Sequence, residues 1–96
     1  MNKFRLRTSL ISKPGQRDNL FKVLFEASKL IENFSGCKIF DVTFSIEEPN
    51  LVFIYEEWTD ESTYRSSLCI GITKELILRA KPMISGMVRT RALTVH

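Results

Sequence analysis

Residues 51–58, Leu-Val-Phe-Ile-Tyr-Glu-Glu-Trp, place hydrophobes on both sides of one short stretch: Leu51, Phe53 and Tyr55 on one, Val52, Ile54 and Trp58 on the other. Its β-branched and aromatic make-up reads as a strand, and a strand that is apolar on both faces is buried on both. A chain of 96 residues is one domain, residues 1–96, with a thin core and few helices to lay on a sheet. Helices cover one face, so the other face needs a second cover. Most soluble homo-oligomers are closed two-fold dimers, so a second copy of the same sheet is the simplest cover. The stretch therefore predicts a homodimer with facing sheets.

The rest of the chain supplies that sheet. Residues 3–12 alternate, with Phe4, Leu6, Thr8 and Leu10 on one side and Arg5, Arg7 and Ser9 on the other, which is the period of a strand. Lys13-Pro14-Gly15 breaks it. Leu20, Val23, Leu24, Ala27, Leu30 and Ile31 then recur at helical spacing, up to the Asn, Ser and Gly cluster of residues 33–36. A second strand starts at Cys37, with Phe40, Val42, Phe44 and Ile46 on one face and Ile39, Asp41, Thr43 and Ser45 on the other. Glu48-Pro49-Asn50 turns the chain back into residues 51–58 as an antiparallel partner. Thr59 or Asp60 can cap the next helix, residues 61–68; Gly71 separates it from residues 73–80, and Pro82 ends or kinks that second piece. Alternation returns over residues 87–95. The order β-α-β-β-α-β is that of the ferredoxin-like plait, an α+β fold with a four-stranded antiparallel sheet and its helices on one face.

Composition excludes several classes. The formal charge of +3 is small, and its parts are segregated: residues 1–17 carry five bases and no acid, residues 41–62 seven acids and no base. Cross-strand pairing of these blocks, including Arg5, Arg7, Arg89 and Arg91 with Glu56 and Glu57, accounts for them better than a nucleic-acid surface does. No apolar run reaches membrane-spanning length, and the first residues lack the apolar core of a signal peptide, so a cytoplasmic protein without membrane partners is expected. Cys37 and Cys69 form no CxxC pair and read as reduced core thiols, with no metal site. Phosphate-loop, dinucleotide, nucleophile-elbow and HExxH signatures are missing, and the one histidine, His96, is the last residue.

Gly36-Cys37, Asp41-Val42, residues 48–58, Asp60-Glu61-Ser62 and Ser67-Leu68, together with the Lys13-Pro14-Gly15-Gln16 entry to the first helix, resemble the antibiotic biosynthesis monooxygenase family. The resemblance implies a dimeric α/β barrel of similar length, and relatives that oxidise aromatic polyketides or quinols without a cofactor or that degrade haem. Family members often carry a histidine nine residues after the hairpin tryptophan, where this chain has Ser67. Haem-degrading relatives use a later-helix histidine and a first-strand asparagine. Residues 69–84 contain no His and residues 3–12 no Asn, so no haem is expected.

By the same resemblance, Trp58 and Tyr64, six residues apart, are similar to the tryptophan and tyrosine that polyketide oxygenases set beside substrate, with Ser67 facing the same cavity. Phe21, Phe25 and Tyr55 are candidate walls for a small aromatic molecule, and Arg79 a candidate to stabilise an oxyanion. Each has a structural reading as well, since a strand-ending tryptophan is commonly a packing residue whose N–H finds one partner. Two functions stay open: a cofactor-independent monooxygenase that oxidises an aromatic or quinol-type substrate in a pocket between sheet and helices, and a non-catalytic small-molecule-binding or assembly module of the same fold.

Overall fold

The computed structural model describes residues 3–92. Strand β1 (Phe4–Ser12) is followed by helix α1 (Arg17–Ile31), strands β2 (Cys37–Phe44) and β3 (Leu51–Trp58), helices α2 (Glu61–Ser67) and α3 (Gly71–Ala80), a single 3-10 turn (Lys81–Met83) and strand β4 (Ile84–Ala92). The strands form one antiparallel sheet in the order β2-β3-β1-β4. This is the ferredoxin-like α+β plait that the element order predicts.

Alternation sets the faces as expected. Phe4, Leu6, Thr8 and Leu10 of β1 lie beside Trp58, Glu56, Ile54 and Val52 of β3, and all eight are buried. Leu20, Ala27 and Ile31 of α1 and Leu76 and Ala80 of α3 complete the core over them. The opposite face is open: Phe53 is 36% and Val88 62% exposed, and Ile11 is also exposed. The two-sided apolar character of β3 is therefore only half satisfied within one chain.

Several boundaries differ from the sequence reading. Strand β2 stops at Phe44, and Ile46, expected in its buried row, is 94% exposed. Ser45 causes this: its Oγ accepts the Glu48 N–H at 3.0 Å and its carbonyl accepts Arg17 Nη1 at 3.1 Å, which folds the chain away from the sheet. In α1 the exposed Leu30 lies off the apolar stripe, and Ser28 is buried instead, its hydroxyl donating to the Phe25 carbonyl. Gly71 opens α3 rather than lying ahead of it, and α2 closes at Ser67. Strand β4 begins at Ile84, three residues before the expected start. There the Lys13 N–H bonds the Met83 carbonyl at 2.9 Å and Ser85 Oγ reaches the Ile11 carbonyl. Residues 93–95 of the expected strand lie outside the described residues.

The acidic and basic blocks do meet, in a different pattern from a single ladder. Lys3 Nζ and Arg5 Nε lie 3.0 and 3.5 Å from Glu57 on the open face. Glu56 and Glu57, being successive strand residues, point to opposite faces. Arg7 rests over the Tyr55 ring, 5.7 Å from its centroid, and Arg89, beside Thr8 in the register, faces the helix side.

Candidate functional site

The end of β3 carries the densest chemistry. Trp58 is 1% exposed, and its Nε1 donates to Glu56 Oε1 at 3.1 Å, a contact that the two-residue period of the strand makes natural. Burial pushes the Glu56 carboxyl above its ordinary pKa, partly opposed by the Trp58 hydrogen bond and the Arg89 charge.

Helix α2 brings the next residue in. Asp60 caps it, accepting the Thr63 N–H at 2.7 Å. The Gly36 carbonyl accepts the Thr59 N–H at 2.8 Å and ties the helix start to the turn before β2. Tyr64, one turn in, sets its ring edgewise to Trp58 at 6.0 Å and tilted on Phe4 at 5.1 Å. The Tyr64 hydroxyl accepts Arg89 Nη1 at 3.3 Å, and Arg89 Nε donates to Thr8 Oγ1 at 3.3 Å. Burial raises the Tyr64 pKa and the guanidinium draws it back. The result is a continuous arrangement from an exposed cation on the edge strand, through a phenol and an indole, to a buried carboxyl.

The other expected residues stand elsewhere. Ser67 is buried, with its Oγ turned back to the Tyr64 carbonyl at 2.6 Å, and it lines an open cleft of about 400 Å³ with Phe34, Ser62 and Ile70. Tyr55 is on the open sheet face, donating to Glu57 Oε2 at 3.3 Å, and lines a second open cleft of about 560 Å³ with Arg7, Asp41 and Phe53. Neither cleft is lined by Trp58, Tyr64 or Glu56. Phe21 and Phe25 stack at 5.8 Å and Phe21 meets Phe44 edge-on at 5.1 Å. Phe44 pairs with Val52, six residues along β3 from Trp58, or ~20 Å at strand rise. Arg79 is exposed on α3, 3.9 Å from Glu26 of α1. Trp58 and Tyr64 thus come together, while Phe21, Phe25, Tyr55 and Arg79 do not join them.

Sequence reasoning missed the roles of Glu56, Arg89 and Thr8. All three gave one signal: a polar residue in the inward register of a strand. Among the described residues, no group of three or more His, Cys, Asp or Glu could hold a metal ion. Cys37, half-buried near Glu56, has its thiol pushed up to about 11, first by burial and then by the charges of Glu56 and Glu32, which keeps it a thiol at neutral pH, whereas Cys69, expected in the core, is exposed just past the end of α2. With no histidine in residues 69–84, the later helix offers no ligand of the kind haem-degrading relatives use.

Residues 5–68, two thirds of the sequence, match the family model for antibiotic biosynthesis monooxygenases. The chain belongs to the antibiotic biosynthesis monooxygenase family. Structures provisionally described by that family name are similar over nearly their whole length. One from Chloroflexus aurantiacus is 23% identical, covers 99% of this chain and 97% of its own, and has a TM-score of 0.82. One from Bacteroides thetaiotaomicron is 20% identical, with 99% and 91% covered and a TM-score of 0.89. A Pseudomonas aeruginosa protein reaches a TM-score of 0.92 at 12% identity, covering 100% and 97%. At such identities the likeness carries the fold alone. Among curated proteins, none matches significantly. The family match takes in Trp58, Tyr64 and Ser67 and ends before Arg89, which reaches the site through the β1–β4 pairing.

Proposed function

We propose that this monooxygenase-family protein works as a homodimer in the cytoplasm and oxidises an aromatic or quinol-type substrate at the Trp58–Tyr64–Arg89 cluster without a cofactor. The observation that supports it is the exposed Arg89 guanidinium held 3.3 Å from the hydroxyl of buried Tyr64, with the Trp58 ring beside it. A cation there meets the oxygen of a phenolate or enolate. Such substrates carry their own electrons. An anthrone-type methylene and O2 yield a carbonyl and water: one oxygen atom enters the ring carbon, and the other leaves with the two hydrogens. The protein's part is to orient the substrate and stabilise its negative charge. In the dimer, the open face with Phe53, Val88 and Ile11 meets its copy.

A second reading, a binding or assembly module without turnover, is favoured by the near-complete burial of Trp58 and by a Ser67 hydroxyl already engaged with its own helix. Oxygen uptake with a panel of anthrones and quinols separates the two. The oxygenase reading expects acceleration over buffer, reduced at least tenfold by Tyr64→Phe and by Arg89→Met. No acceleration across the panel leaves the module.

A further inference from the structure

Glu56 has features that binding an aromatic ring does not use. It interrupts the inward row Val52, Ile54, Trp58 with an acid, is only 6% exposed, and is flanked in the sheet by Leu6 on one side and Phe40 on the other. Its carboxylate receives one hydrogen bond, from Trp58 Nε1 to Oε1. Among the described residues no cation lies within ion-pair distance of it, and Oε2 has no hydrogen-bond partner. A glutamine would hold the indole equally well without placing a charge in apolar surroundings, which is costly unless the charge is paired. The groups that face this carboxyl are Arg89 from β4, Tyr64 from α2 and Cys37 from β2. Of these only Arg89 is positively charged, and its guanidinium is anchored on Tyr64 and Thr8 rather than on the carboxylate.

A carboxylate with a single hydrogen bond, a cation anchored on other partners, and the Trp58 and Tyr64 rings that contact one and the other are the groups that a proton abstraction needs. Resting on the oxygenase reading above, we infer that Glu56 is the catalytic base. Its Oε2 takes the acidic proton of a phenol or anthrone-type substrate. The O–H or C–H bond breaks, its electron pair stays on the substrate as phenolate or enolate, and that oxygen lies against Arg89. The resulting anion is the electron-rich species that O2 oxidises, and the proton held by Glu56 leaves with the water formed. No histidine is required. The burial that raises the Glu56 pKa also makes its carboxylate a stronger base.

The test compares wild type, Glu56→Gln and Glu56→Asp in oxygen uptake with anthrone, alongside binding of 2-naphthol followed by the fluorescence of Trp58, the chain's one tryptophan. A base of this kind contributes roughly 10²–10⁴-fold, so Glu56→Gln should lower kcat/KM by at least about 100-fold while the 2-naphthol Kd stays within about threefold. The acid limb of the wild-type pH profile should vanish in Glu56→Gln. Glu56→Asp, which keeps the carboxylate one methylene further back, should recover part of the rate, so a folding defect in the glutamine variant does not decide the matter. Glu56→Gln turnover within threefold of wild type, or an acid limb that survives it, overturns the assignment and leaves the oxygenase reading standing. A wild type that does not accelerate uptake at all overturns both.

Discussion

The Trp58 indole and the Glu56 carboxylate, two residues apart on β3, are joined by a 3.1 Å hydrogen bond beneath the helices, where the strand pattern would otherwise put only hydrophobes. Folding thus takes a carboxyl group out of water with a single donor. Burial holds its pKa above the ordinary value, so the folded state favours the protonated form. The stability from this group is complete below about pH 4.5 and is lost as pH rises through the shifted value. Glu56→Gln should therefore be more stable than wild type at pH 7, with the difference vanishing towards pH 4. Urea unfolding at both pH values checks this, and equal stability of the two proteins at pH 7 would contradict it.

Trp58→Phe keeps most of the ring packing and removes the donor. The carboxylate then has no hydrogen-bond partner, and stability at pH 7 should fall by about 3 kcal/mol. In the Glu56→Gln background the same change should cost clearly less, because the group left without a partner is neutral. Midpoints of urea unfolding for the four proteins of this cycle supply the comparison.

The turn that places Tyr64 depends on Gly36, whose φ of +87° suits glycine and where an added Cβ would collide with Thr63 Cγ2. Gly36→Ala should cost more than about 2 kcal/mol. Thr63→Ser removes the colliding methyl and should restore part of that loss but not the part due to φ, as thermal unfolding of the single and double variants would reveal.

Strand faces and element order were legible because alternation and helical spacing record burial directly, as Phe4, Leu6 and Leu10 and the Leu20 to Ile31 stripe show. The misreadings arose where polar contacts override pattern. Ile46 continued the apolar period of β2, yet a hydroxyl–amide bond at Ser45 turned the chain away first. At the site, the Trp58 and Tyr64 neighbourhood follows from one strand, one cap and one helical turn, all local. The meeting of Tyr64 with Arg89, 25 residues on, depends on the β1–β4 register, which no local spacing encodes. Phe21, Phe25 and Arg79 looked equally suited by residue type, but position along the sheet and an ion pair with Glu26 set them apart.

The open sheet face makes its own test. Phe53 and Val88 are part-exposed there, so a charge costs the single chain little and a facing copy a great deal. Wild type should sediment as a dimer at micromolar concentration, and Phe53→Asp as a folded monomer with an unchanged circular dichroism spectrum. A wild-type monomer under those conditions would refute the facing-sheet assembly.

Labelled oxygen tests the proposed chemistry most directly. With anthrone under 18O2, the protein should speed product formation at least about tenfold over buffer, a modest rate gain for an enzyme. Each new carbonyl should carry one atom of 18O, with the second atom recovered in water, and Arg89→Met should slow this without changing the labelling. Product formed no faster than in buffer, or a carbonyl whose oxygen comes from water after correction for exchange, would contradict oxygenation at the Trp58–Tyr64–Arg89 cluster.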